Sequence, residues 1–213
     1  YEPEYVSLDV DQNGLDTSHL DRALRTGPKF IYLVPNFQNP TGVTLSLERR
    51  KLIVERADHY GIPIIEDDPY GQLRYEGSHL PPLVALDGRA RAEDPYSGNV
   101  IYLSTFSKTL VPGLRLGWVV APAEVISRLV AAKQGTDLYT SNFAQMLAYK
   151  VARGGFLDEH IREIRGLYRT RRDAMLAAMK LHFSPETRWT CPAGGLFIWV
   201  TLPSCLDAVE LLH

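Results

Sequence analysis

Three short apolar runs, each giving way at its C-terminal end to a cluster of polar side chains, narrow what this chain can fold into. Phe30-Ile31-Tyr32-Leu33-Val34 leads into Pro35-Asn36-Phe37-Gln38-Asn39-Pro40-Thr41-Gly42, and Ile62-Pro63-Ile64-Ile65-Glu66 into Asp67-Asp68-Pro69-Tyr70-Gly71. Val100-Ile101-Tyr102-Leu103 delivers Ser104-Thr105-Phe106-Ser107-Lys108 in the same way. Runs this short and continuously apolar read as buried strands. Between the first two, residues 45–60 set Leu52, Ile53 and Ala57 against Glu48, Arg49, Arg50, Glu55 and Arg56, with Gly61 as a C-terminal stop. That spacing predicts an amphipathic helix lying on one sheet face. Strand and helix signals alternate in the way a three-layer α/β/α domain requires, and the expected sheet is largely parallel. Ligands of such sheets sit outside the carboxyl ends of the strands, where all three polar clusters fall.

The third cluster carries the most chemistry. Lys108 is an amine able to trap a carbonyl, and Thr105, Ser107 and Arg115 stand around it in sequence as anion donors. The usual protein-bound aldehyde, pyridoxal 5'-phosphate, needs both an amine for a Schiff base and donors for its phosphate. The planar fork of arginine donates two hydrogen bonds to phosphate oxygens, and hydroxyls add to it. In the second cluster, Asp67 can set a carboxylate beside the pyridine nitrogen, keeping it protonated, and Tyr70 can donate to the ring's phenolic oxygen. In the first, Asn39 can present its amide to the ring or to a substrate carboxylate. Taken singly each cluster has a plainer explanation: an exposed lysine in a polar turn, an Asn-Pro and Thr-Gly turn, and a solvated Asp-Asp-Pro loop.

Taken together, Asn39-Pro40-Thr41-Gly42, Asp67 with Tyr70, Lys108, and Arg115 after Pro112-Gly113 resemble the fold-type I pyridoxal-phosphate aminotransferases of class I/II. The likeness is to the branch of 2-aminoadipate and kynurenine aminotransferases and MocR-like proteins. Thr105 stands where relatives often have serine, which keeps the hydroxyl. Pro192-Ala193-Gly194-Gly195-Leu196-Phe197-Ile198-Trp199 is similar to the family's small-domain strand on the substrate side. The resemblance implies a pyridoxal-phosphate-dependent transaminase that moves the amino group of an L-amino acid (2-aminoadipate, aromatic or similar) to a 2-oxo acid such as 2-oxoglutarate. It does so through a Lys108 aldimine, with the freed lysine as general base. Lys108 is then the catalytic residue, and Asn39, Asp67, Tyr70, Thr105, Ser107, Lys108 and Arg115 bind the cofactor. A homodimer in the cytoplasm is implied as well. Two family segments find no counterpart, the phosphate-cradling glycine loop and the late arginine for the substrate carboxylate, so the chain reads as an internal excerpt of a longer enzyme. The alternative is the aminotransferase-like sensor domain of a MocR/GntR-type regulator, touching nucleic acid only through a separate N-terminal DNA-binding domain. Elimination or decarboxylation on the same scaffold is a second enzymatic option.

Composition excludes more than it selects. A net charge of -2 gives no basic footprint for nucleic acid, and no apolar run is long enough to span a bilayer. The two cysteines, Cys191 and Cys205, lack metal-ligand spacing, and the six histidines are scattered, so no metal site is expected. Residues 77–98, rich in Pro, Gly and charge, read as a long surface excursion. Leu116-Gly117-Trp118-Val119-Val120-Ala121 reads as a strand ended by Pro122, with helices from Ala123 and from Thr140 or Ser141. Gly154-Gly155 breaks the pattern before a long helix over residues 156–183. Its Ile161, Ile164, Tyr168, Met175 and Met179 form a core stripe, and Arg169, Arg171 and Arg172 a solvated face. The expected division places residues 1–155 in the cofactor-binding large domain, and 156–213 in an interdomain helix and incomplete small α+β domain.

Overall fold

The computed structural model describes residues 2–91 and 96–212. A two-residue hairpin, β1 (Val10–Asp11) with β2 (Gly14–Leu15), precedes the short helix α1 (Leu20–Leu24). The central sheet has the order β3-β4-β5-β6, built from Ile31–Leu33, Ile64–Asp67, Val100–Thr105 and Gly117–Val120. β3, β4 and β5 run parallel, and β6 returns antiparallel to β5, with Thr105 opposite Gly117. The sheet is thus an α/β sheet of the expected kind, parallel except for its last strand.

Helix α2 (Leu47–Tyr60) begins at Ser46, whose side chain accepts from Arg49 N, and ends at Gly61 with φ 65°. A serine cap satisfies an orphan amide at the start, and only glycine takes the left-handed stop without strain. Ile53, Val54 and Ala57 of α2 pack with Leu20 and Leu24 of α1 against Leu33, Ile64 and Val100 of the sheet. One sheet face is therefore sealed. The period of two leaves Tyr32, Ile65, Asp67 and Leu103 on the other face, which is half-covered.

The stretch read as a surface excursion contains a helix, α3 (Leu83–Arg91); residues 92–95 lie outside the described residues. What the local pattern does not reveal is its start. The buried carboxylate of Glu66, on β4, accepts from Leu83 N at 2.8 Å and Val84 N at 3.0 Å. A distant side chain thus supplies the N-terminal cap. Burial raises the Glu66 carboxyl to about 7. Because the folded form holds its proton where the unfolded chain does not, this group's contribution falls as pH rises from about 4.5 to 7 and is flat above that. Chemical denaturation of wild type and Glu66→Gln across that window should show a difference that changes by roughly 3 kcal/mol. Parallel curves would remove the assignment.

Three further helices follow β6. α4 (Ala123–Thr136) opens after Pro122, α5 (Asn142–Ala152) is capped by Ser141, and α6 (Phe156–His182) follows Gly155. β7 (Arg188–Trp189) pairs antiparallel with β8 (Val200–Thr201). Within the α6 stripe Ile161 and Met179 are buried, whereas Met175 is exposed. Arg172 departs from the expected solvated face: its side chain is 9% exposed. It binds Glu76, Asp173 and the Pro192 carbonyl, because the 75–76 and 192 segments close over it. Residues 192–199 were expected as a strand. They run instead as irregular chain with a single bridge, Gly194 to Arg74, before β8. No described helix is long and apolar enough to cross a membrane.

Candidate functional site

The residues singled out from the sequence lie on the C-terminal ends of the sheet strands and on the loops that leave them. Asp67 is the last residue of β4 and Thr105 the last of β5; Asp67 pairs in register with Leu103. Asn39 lies in the loop after β3, whose turn closes through Gln38 N to Val43 O at 2.9 Å and Thr41 Oγ1 to Gln38 Oε1 at 2.7 Å. Under that loop Phe37 is fully buried at φ 48°, and Gly194 and Gly195 lie so close to its ring that neither has room for a Cβ. The 192–197 segment thereby rests on the Asn39 loop, and Phe197 meets the Tyr70 ring edge-on at 5.5 Å.

Tyr70 is buried, which pushes its phenol above the usual range, while a hydrogen bond from the Asn39 side chain works against that. These two predicted donors are therefore together. Asp67 accepts from Tyr32 Oη at 2.7 Å. Thr105 Oγ1 donates to Leu116 O at 2.7 Å and accepts from Ser107 N at 3.0 Å, with Ser107 Oγ 2.9 Å away. Phe106 N also donates to Leu116 O, which ties the start of the lysine turn to the chain beside Arg115. Lys108 is half-buried on that turn, and among the described residues no hydrogen bond or ion pair engages its amine. Arg115 has φ 53° and is exposed, with Nη1 donating to Pro112 O at 3.2 Å. Its guanidinium is turned onto its own loop.

Beneath these groups runs a buried polar network that the motif reading passed over. Strand alternation sends Glu66 and Asp68 inward and Asp67 outward, so two adjacent aspartates serve opposite faces. Asp68 Oδ1 accepts from Asn36 Nδ2 and Gly71 N, both at 2.9 Å, and Oδ2 from Tyr102 Oη at 3.3 Å. Ser104 Oγ donates to the Asp68 carbonyl at 2.8 Å. Behind Asn36, the fully buried Arg50 donates to Asn36 Oδ1 at 2.6 Å and to the carbonyls of Leu45, Pro35 and Pro81. Burial raises the Asp68 carboxyl, opposed by those hydrogen bonds, and burial carries Tyr102 to about 12. One carboxylate thus links the base of the Asn39 loop, the Asp67–Tyr70 turn and β5. Reading Asp67 and Asp68 with a period of two was the available signal. Among the described residues no His, Cys, Asp and Glu grouping could hold a metal ion.

Comparison with known proteins gives the family and the fold. Residues 2–211 match the family described as aminotransferase class I and II. The chain is 43% identical to aromatic-amino-acid aminotransferase 1 of Thermococcus litoralis, over 100% of this chain and 51% of that protein. It is 39% identical to an uncharacterized HTH-type transcriptional regulator, YisV, of Bacillus subtilis, over 88% of this chain and 37% of the regulator. The solved structure of α-aminoadipate aminotransferase from Thermus thermophilus, complexed with N-(5'-phosphopyridoxyl)-L-leucine, superposes with a TM-score of 0.91 at 39% identity. That match covers 98% of this chain and 52% of the other. The chain spans about half the length of the aminotransferase relatives it matches. Fold and sequence converge: this chain belongs to the class I and II aminotransferase family, with the α/β fold of the fold-type I large domain.

Proposed function

We propose that the protein is a pyridoxal-phosphate-dependent aminotransferase, moving an amino group from an L-amino acid of the 2-aminoadipate or aromatic class to a 2-oxo acid such as 2-oxoglutarate. One observation carries the reading: a lysine amine that nothing among the described residues engages sits on the same turn as a paired Thr105 and Ser107, on a rim that also holds the Asp67 carboxylate. The donor set fits the cofactor in kind. Thr105, Ser107 and Arg115 would hold its phosphate, Asp67 its ring nitrogen, and Asn39 with Tyr70 its phenolic oxygen. When bound, the group supplies an aldehyde to trap amines and a protonated ring that draws electron density from the substrate Cα. Lys108 would anchor it and, once displaced, carry a proton between the substrate Cα and the cofactor carbon. Asp67 would keep the ring nitrogen protonated. Residues 1–155 form part of the large domain in this reading, and 156–213 begin the small one. A homodimer in the cytoplasm is the assembly and compartment it assigns.

Borohydride reduction of the full-length protein with pyridoxal phosphate, followed by peptide mapping, tests this directly. A reduced adduct on Lys108 is expected, and an adduct elsewhere or none would overturn the site. The likeness to a helix-turn-helix regulator favours one second reading, a cofactor-linked sensor half. It expects the adduct but no conversion of the bound cofactor to its amine form when amino acids are added.

A further inference from the structure

We propose that Tyr32 is a positioning residue that fixes the Asp67 carboxylate against the cofactor's ring nitrogen, an inference that rests on the cofactor reading above. On β3, Leu33 is buried in the core, while Tyr32 points from the opposite face and is half-exposed. Tyr32 pairs in register with Ile65 of the neighbouring parallel strand. Asp67 is then its diagonal neighbour, two residues nearer the rim on the same face. An aromatic side chain spans such a diagonal. The phenol does so here, with Tyr32 Oη donating to Asp67 Oδ2 at 2.7 Å, a length typical of a hydroxyl bound to a carboxylate.

Among the described residues this is the only hydrogen bond the Asp67 carboxylate receives, and it occupies one oxygen. Oδ1 is left for a second donor. The terminal torsion of an aspartate is broad and roughly two-fold, so nothing intrinsic to the residue fixes which way its oxygens face. A phenol held on a neighbouring strand selects one orientation in advance, which is how a preorganised charge acts without reorganising during the reaction. Burial and the Asp67 carboxylate together push the Tyr32 phenol up to about 12, so it remains a donor across the neutral range. Phenylalanine would keep the ring and release the carboxylate.

The test compares full-length wild type, Tyr32→Phe, Asp67→Asn and the double variant, each loaded with pyridoxal phosphate. For Tyr32→Phe, the amino-acid half-reaction in single turnover should slow roughly tenfold with KM little changed, as for loss of an interaction that favours the reacting state. The pH at which the bound cofactor changes its visible absorbance should move by roughly one unit, in the direction seen for Asp67→Asn. The double variant should resemble Asp67→Asn alone, because the phenol acts only through that carboxylate. If wild type forms no adduct on Lys108, the cofactor reading fails and this inference with it. If wild type forms the adduct but Tyr32→Phe titrates and turns over like wild type, the inference alone fails. A Tyr32→Phe protein that melts earlier with an unchanged absorbance profile would also overturn it, since that marks a merely structural contact.

Discussion

Lys108→Ala is expected to lower transamination by at least about a thousandfold, since proton transfer by a positioned side chain is by itself worth 10²–10⁴ and the covalent anchor is lost as well. Cofactor binding should weaken but persist. Asp67 at the end of β4 and the Asn39–Tyr70 pair sit on other parts of the rim, and the Thr105 and Ser107 hydroxyls, though on the lysine's own turn, are held by bonds that do not involve the lysine side chain. Thr105 is locked by Leu116 O and Ser107 N, and Tyr70 by burial against Phe197. The measurement is a pair: stopped-flow absorbance with an amino acid donor, and equilibrium binding of pyridoxal phosphate to wild type and variant. Turnover retained in the variant would remove Lys108 from the chemistry. Turnover lost together with all cofactor binding would instead make Lys108 part of the scaffold. The turn that carries it is built from main-chain bonds, Leu110 N and Val111 N to Phe106 O, so truncating the side chain should leave the turn in place.

The ends of β3, β4 and β5 were legible because an apolar run and the polar residues closing it are both local signals, and the sheet edge they define is where ligands bind. Helix α2 was legible for a similar reason, since Ser46 and Gly61 mark its ends within the chain's own sequence. Helix α3 was hidden because its cap is Glu66, a residue of another strand, and no local pattern reports a carboxylate arriving from 17 residues away. Arg172 looked like a surface cation because an arginine leaving an apolar stripe usually is one. Only the tertiary approach of Glu76 and Pro192 covers it. Asp67 and Asp68 illustrate the same limit within a single dipeptide. A motif picks out Asp67, yet the structure assigns Asp68 more partners, and that difference depends on which face each residue meets once the strands are in register.

Arg50 bears on whether that hidden network matters to stability. Its side chain is fully buried on α2, and burial works against its charge, eased by the fields of Glu66 and Asp68. It donates to three carbonyls and to Asn36 Oδ1, while Asn36 in turn donates to Asp68. Arg50→Met would fill much of the volume and remove the guanidinium from four acceptors, of which the Pro35 carbonyl keeps Leu45 N and the other three lose this donor. Removing one partner from a buried polar assembly costs about 3–5 kcal/mol, several times the net worth of an average hydrogen bond. In a chain of this size that corresponds to a fall in melting temperature of roughly 10 °C. Arg50→Lys should lose a large share of this, because a single ammonium with three donors cannot reach four acceptors spread around a planar fork. Melting of the full-length variants supplies the numbers, and a loss under about 1 kcal/mol would show that water replaces the guanidinium easily. Coupling is the sharper test. Since Arg50 is tied to Asp68 by hydrogen bonds through Asn36 and by the field of its carboxylate, Arg50→Met and Asp68→Asn should be non-additive by at least about 0.5 kcal/mol if the three residues act as one unit. Additive losses would mean that the core beneath α2 and the rim that presents Asp67 and Tyr70 are stabilised independently.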